Sequence, residues 1–123
     1  MARILIIDDE AMIRDLLVNI LEREGYDTAT ASGGKDGIKI YRENPTDLII
    51  TDLLMPEKDG LETIMELRRD FKDVKIIAMS GGGKIDPKTY LQIARTMGAI
   101  EIITKPFDLR ELLKTVQQLL EQV

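Results

Sequence analysis

Residues 4–31 read ILIIDDEAMIRDLLVNILEREGYDTATA, and this stretch decides the fold. It opens on an unbroken apolar run at 4–7, the pattern of a short strand buried on both faces. Ile13, Leu16, Leu17, Ile20 and Leu21 then recur at three- and four-residue spacing, which makes one face of a helix apolar. Gly25 punctuates the end of that helix, and a second strand-like run occupies 26–31. Strand, amphipathic helix and strand together make one βαβ unit.

The same alternation continues outward. Apolar runs return at 48–50, 75–79 and 100–103. Between them, Ile38 and Tyr41 in segment 34–43, then Leu61, Ile64 and Met65, then Tyr90, Leu91, Ala94 and Met97 in segment 87–97 keep helical spacing. Gly60 and Gly98 mark further element boundaries. The final segment has the clearest period, with Leu109, Leu112, Leu113, Val116, Leu119, Leu120 and Val123 on one stripe beside polar Glu111, Lys114, Gln118 and Gln122. That stripe is read as core, not as an interface. Strict alternation implies parallel strands, right-handed crossovers and helices on both faces. The expected class is therefore α/β, a three-layer (βα)5 doubly wound sandwich around a five-stranded parallel sheet. With 123 residues, no repeat and no linker-like stretch, the chain is expected to be one domain over 1–123.

Composition narrows the chemistry. There is no cysteine and no histidine, which removes Cys/His zinc sites, thiol nucleophiles and Ser-His-Asp hydrolysis. Carboxylates, hydroxyls and lysine remain. A formal charge of −5 disfavours a phosphate-tracking surface, so no direct nucleic-acid binding is expected. The sequence shows neither a secretory signal nor an apolar stretch of membrane-spanning length. A cytoplasmic protein with protein partners is expected.

In an open parallel sheet the ligand crevice lies beyond the carboxyl ends of the strands. Here those ends carry Asp8-Asp9-Glu10 after the first strand, Thr51-Asp52 after the third, Ser80 with Gly81, Gly82 and Gly83 after the fourth, and Thr104-Lys105-Pro106 after the fifth. Each has an ordinary structural reading. Asp8 or Asp9 can cap a helix, Asp52 can be a loop acid, Ser80 before glycines suits a turn, and Lys105 can be a solvated strand end. Their convergence on one edge is different, because carboxylates from separate strand ends repel and need a cation. Magnesium fits: it prefers oxygen, keeps several waters and is held by one or two carboxylates plus a phosphate.

The whole chain resembles the response-regulator receiver family of two-component signalling, in particular its stand-alone chemotaxis- and sporulation-type members. Asp8-Asp9 after the first strand, Asp52-Leu53-Leu54-Met55-Pro56 with Asp59-Gly60, Ser80, and Lys105-Pro106-Phe107 carry the resemblance. It implies the flavodoxin-like strand order 2-1-3-4-5. It also implies that Asp52 accepts a phosphoryl group from a sensor histidine kinase or histidine phosphotransfer protein. Asp9 would be a direct Mg2+ ligand, Asp8 a ligand through water, and Leu54 the donor of a backbone carbonyl to the metal. Ser80 and Lys105 would hold phosphoryl oxygens, and the Lys105-Pro106 bond would be cis. The output would be a conformational change on the fourth helix, fifth strand and fifth helix, read by a downstream target protein. The chain would be no enzyme apart from self-catalysed phosphotransfer and autodephosphorylation, and a monomer, with dimerisation open on phosphorylation.

One position departs from the family. The fifth strand usually carries Tyr or Phe three residues before the lysine, and here Ile102 stands there. That removes a rotating phenol as partner of Ser80 and shifts the expected switch to the glycine-rich fourth loop and the fourth helix. Four other readings use the same residues. An aspartyl phosphohydrolase expects Asp-x-Asp after the first strand, which is absent. A flavin protein of this fold expects a hydroxyl- and glycine-rich phosphate loop where three acids stand. A non-phosphorylated pseudo-receiver would not need all of Asp8, Asp9, Asp52, Ser80 and Lys105. The receiver of a larger transcription factor or hybrid kinase would look the same; the absence of a linker after Val123 is read in favour of a stand-alone chain.

Overall fold

The computed structural model describes residues 2–53, 60–80, 87–105 and 107–121. Leu54, Asp59, Gly81, Gly82, Gly83, Pro106 and Val123, and the side chains of Tyr90 and Leu91, lie outside the described residues. In chain order the elements are β1 Arg3–Ile7, α1 Ala11–Arg23, β2 Asp27–Ala31, α2 Gly34–Glu43, β3 Leu48–Asp52, α3 Gly60–Asp70, β4 Ile76–Ser80, α4 Pro87–Met97, β5 Glu101–Thr104 and α5 Leu109–Glu121. All four strand pairings are parallel, and the order is β2-β1-β3-β4-β5. The expected α/β doubly wound architecture is the one observed.

Alternation along each strand divides the core in two. Leu5, Ile7, Ile49, Ile76 and Ala78 face Ile38 and Tyr41 of α2, Ile64 and Leu67 of α3, and Ala94 of α4. Ile4, Ile6, Leu48, Ile50, Ile77 and Met79 face Leu17 and Leu21 of α1 and Leu112, Val116 and Leu119 of α5. Two helices therefore cover one face and three the other. Burying a leucine or isoleucine of this kind is worth about 1.5–3 kcal/mol, so β1, β3 and β4 anchor the fold.

The edge strands correct the expectation that all five strands are buried on both faces. β3 and β4 are buried throughout, but in β2 only Ala31 is buried, and β5 is half-covered with Thr104 exposed. The sequence DTATA fits this position, since threonines tolerate a wet face and Asp27 begins the strand in solvent. Three positions of the helical stripes also differ: Leu16, Met65 and Met97 are 41%, 50% and 37% exposed. The stripe on α5 is mostly core as read, with Leu109 at its open end. Gly98 closes α4 with φ 135°, a conformation that favours glycine, and the Arg68 guanidinium donates a 2.7 Å hydrogen bond to its carbonyl. Among the described residues no helix is long and apolar enough to cross a membrane.

Candidate functional site

Strand register brings the acids together. Ile7 pairs with Thr51, so Asp8 and Asp52, each one residue further on, leave neighbouring strands side by side. Asp52 in turn pairs with Met79 of β4, and the next residue, Ser80, pairs with Thr104 of β5. The Lys105 backbone N–H then donates to the Ser80 carbonyl at 3.0 Å, which fixes where the lysine leaves the sheet. Four residues far apart in sequence thus meet at one strand edge because the sheet is parallel.

Burial there is severe. Asp8 is 0% exposed, Ser80 2% and Asp52 5%, so two carboxylates and a hydroxyl sit nearly out of solvent. The Lys105 ammonium lies 3.1 Å from Asp8 Oδ2, within hydrogen-bond reach, 3.6 Å from Asp52 Oδ2 and 3.8 Å from Glu10 Oε1. Burial pulls the Lys105 pKa down, but the Asp52, Asp8 and Glu10 carboxylates together outweigh it and raise the pKa above the ordinary lysine value. The lysine is firmly charged.

Asp8 does not cap α1. The N-cap of that helix is Glu10, which makes no side-chain capping bond, while Asp8 Oδ1 accepts the Glu10 backbone N–H at 2.9 Å ahead of the helix. That contact orients Asp8 and leaves Asp9 and Glu10 exposed at the mouth. Carboxylate oxygens of Asp8, Asp9 and Glu10 lie within 4.8 Å of one another. The set is all oxygen and anionic, the donor chemistry of a hard divalent cation such as Mg2+.

Two residues belong to this edge that the sequence reading left without a role. Glu10 contributes both a carboxylate near the lysine and a member of the acidic group. Arg14 donates from Nη1 to the Asp8 carbonyl at 2.7 Å and so braces the turn that carries the acids. Gly60, read from the sequence as an element boundary, also shapes this edge: its N–H donates to the Leu53 carbonyl at 2.9 Å, and a Cβ there would sit 2.5 Å from Leu53 Cα. The start of α3 is thereby pressed against the end of β3. Of the remaining expected site residues, Ile102 is half-buried against the core on the α2–α4 face, while Leu54 and Pro106 lie outside the described residues.

Residues 4–117 match the family model of the response regulator receiver domain. The chain belongs to the response-regulator receiver family. Within it, the receiver is 35% identical to a probable transcriptional regulatory protein of Picosynechococcus sp., over 98% of this chain and 50% of the relative. The chain thus spans about half the length of that curated relative. It superposes on the receiver domain protein of Clostridium thermocellum with a TM-score of 0.91 at 29% identity, covering 99% of this chain and 96% of the other. With the chemotaxis protein CheY4 of Vibrio cholerae the TM-score is 0.86 at 30% identity, covering 97% and 98%. The receiver is a signalling domain of two-component systems.

Proposed function

We propose that this receiver accepts a phosphoryl group on Asp52 from a phosphohistidine of a sensor histidine kinase or phosphotransfer protein, in a magnesium-dependent reaction. The observation that supports this most is the convergence of the Lys105 ammonium on buried Asp8 and Asp52. A carboxylate is a weak nucleophile, so the site must position it and neutralise the charge it attacks. Asp52 is held by β3 at the sheet edge, nearly dry, with the Lys105 ammonium beside it.

Asp8, Asp9 and Asp52 would hold Mg2+, with the Leu54 backbone carbonyl as the fourth protein ligand; Glu10 stands close enough to contribute charge. The bound ion would draw electron density from the phosphoryl oxygens and balance the acidic edge. Attack by an Asp52 oxygen on phosphorus forms the acyl phosphate as the bond to the histidine nitrogen breaks. Lys105, already protonated and aimed at the Asp52 carboxylate, takes up part of the charge that spreads over the phosphoryl oxygens. Ser80, buried at the end of the adjoining strand, offers a hydroxyl to another oxygen. Water attacking the same phosphorus would break its bond to the Asp52 oxygen, release inorganic phosphate and restore the carboxylate, so the modification is self-limiting.

Residues 1–123 act as one receiver domain in this reading, located in the cytoplasm. The signal leaves through α4, β5 and α5 to a downstream protein. The greater length of the Picosynechococcus relative favours, as a second reading, a receiver that serves a longer transcriptional regulator.

The test is intact mass after incubation with acetyl phosphate, with and without magnesium, for the native chain and Asp52→Asn. Magnesium-dependent gain of one phosphoryl group, absent from the variant, is expected. A native chain that gains nothing under any condition, or a variant that gains the group equally, overturns the proposal.

A further inference from the structure

A polar cavity lies at the end of the sheet opposite the acidic edge. It is lined by Ala2 before β1, Tyr41 of α2, Thr46 and Asp47 before β3, Asp73 and Lys75 before β4, and Leu120 of α5. Five-residue strands separate it from the acidic edge, a span of roughly 17 Å. Its volume is about 630 Å³, within the range of small-ligand sites.

Tyr41 distinguishes it from an incidental surface groove. The residue is only 6% exposed, its ring stacked edge-on against Phe71 with centroids 4.9 Å apart. Among the described residues its hydroxyl has no hydrogen-bond partner, yet no sealed polar atom is left unsatisfied, so the phenol oxygen is open to solvent in a residue that lines the cavity. The hydroxyl is therefore reached by solvent and free to pair with a ligand that fills this space.

The surroundings set the charge of that ligand. Burial raises the Tyr41 pKa, and the Asp47 and Asp73 carboxylates raise it further while Arg68 opposes them, so the field at the phenol is negative. Asp47 Oδ2 accepts the Arg3 backbone N–H at 2.8 Å, which fixes that carboxylate at the rim. Asp73 has no hydrogen-bond or ion-pair partner among the described residues. The Lys75 ammonium points to the Leu119 carbonyl at 2.7 Å. The phenol oxygen and two carboxylates present acceptors, while Ala2 and Leu120 add an apolar wall.

We infer that this cavity binds a guanidinium group carried on an aliphatic arm, as in arginine. A guanidinium offers five donors and no acceptor, which complements carboxylates and a phenol oxygen together. The arm lies along Leu120 and Ala2. The group can come from an arginine of a partner protein or from a free guanidino compound.

The test is an amide NMR titration of the full chain, free of magnesium and phosphodonor, with N-acetyl-argininamide, agmatine and the neutral analogue urea. Saturating shifts at residues 41, 46, 47 and 73–75 are expected with both cations and not with urea. They should weaken at least about tenfold in the Asp47→Asn/Asp73→Asn double variant and several-fold in Tyr41→Phe, each first checked for a native spectrum. Tighter binding of the amide assigns the cavity to a protein side chain, and of agmatine to a free ligand. Shifts that never saturate, that urea reproduces, that survive the double variant, or that centre on residues 8–10 and 52 overturn the inference.

Discussion

The Lys105 ammonium donates a 3.1 Å hydrogen bond to Oδ2 of Asp8, a carboxylate with no solvent exposure. The pair joins the end of β1 to the end of β5 across β3 and β4, and it offsets acids that would otherwise repel. Lys105→Met leaves buried charge uncompensated and should cost about 3 kcal/mol in urea unfolding at neutral pH. Adding Asp8→Asn should restore part of that loss. Because the folded-state pKa of Lys105 is raised, its contribution is fully present below the ordinary lysine value of 10.5 and is lost as pH rises through the folded value. Native and Lys105→Met stabilities should therefore converge only in strong alkali.

On the proposed reading, magnesium relieves the same repulsion. At ten times its dissociation constant it should add about 1.4 kcal/mol, or roughly 5 °C in melting temperature, and chelation should remove the gain. Asp9→Asn, at the exposed mouth of the acidic group, should keep the fold and lose most of this response. An undiminished magnesium shift in that variant would show that the cation binds elsewhere.

The central strands and the acidic edge were legible in the sequence because both depend on strong, local signals. Runs such as Leu48-Ile49-Ile50 have no comfortable alternative to a doubly covered strand, and strand ends in a parallel sheet share one side. What escaped depended on position within the sheet. Residues 26–31 read as strand, but only the order β2-β1-β3-β4-β5 reveals that this strand is an edge and keeps Thr30 wet. Leu16 and Met65 satisfy helical spacing yet stay exposed, because a helix on a sheet covers a narrower arc than the period alone suggests. Arg14 was silent for another reason. Its partner is the carbonyl of Asp8, and a backbone contact leaves no complementary residue type to read.

Gly60 ties the packing to the site. A methyl group there would meet Leu53 Cα at 2.5 Å and the Asp52 carbonyl carbon at 3.1 Å, and backbone cannot rotate away as a side chain does. Gly60→Ala should cost about 2–3 kcal/mol through overpacking and push α3 away from Asp52, the proposed acceptor. Urea unfolding measures the first effect, and the rate of modification by acetyl phosphate measures the second. A variant as stable as the native chain would mean that α3 yields at no cost.

Acid stability should depend on the seam between α2 and α3. Asp70 sits between two guanidiniums: Arg69 Nε is 2.8 Å from its Oδ1, and Arg42 pairs with its Oδ2 while also reaching Glu66 Oε2 at 3.3 Å and lying 5.4 Å from the Phe71 ring centre. The hydrogen bond from Arg69, then that from Arg42, lowers the Asp70 pKa from 3.8 to about 2. A depressed carboxylate pKa means that the unfolded chain takes up the proton first as pH falls. The contribution is therefore complete above 3.8 and disappears as pH drops through about 2. Asp70→Asn should be less stable than the native chain above that window, and the difference should shrink steadily across it. Salt should shrink it too, since the pair is at the surface and screened. A difference between native and variant that stays constant from neutral pH to the bottom of the window would mean that Asp70 acts through its shape and not its charge.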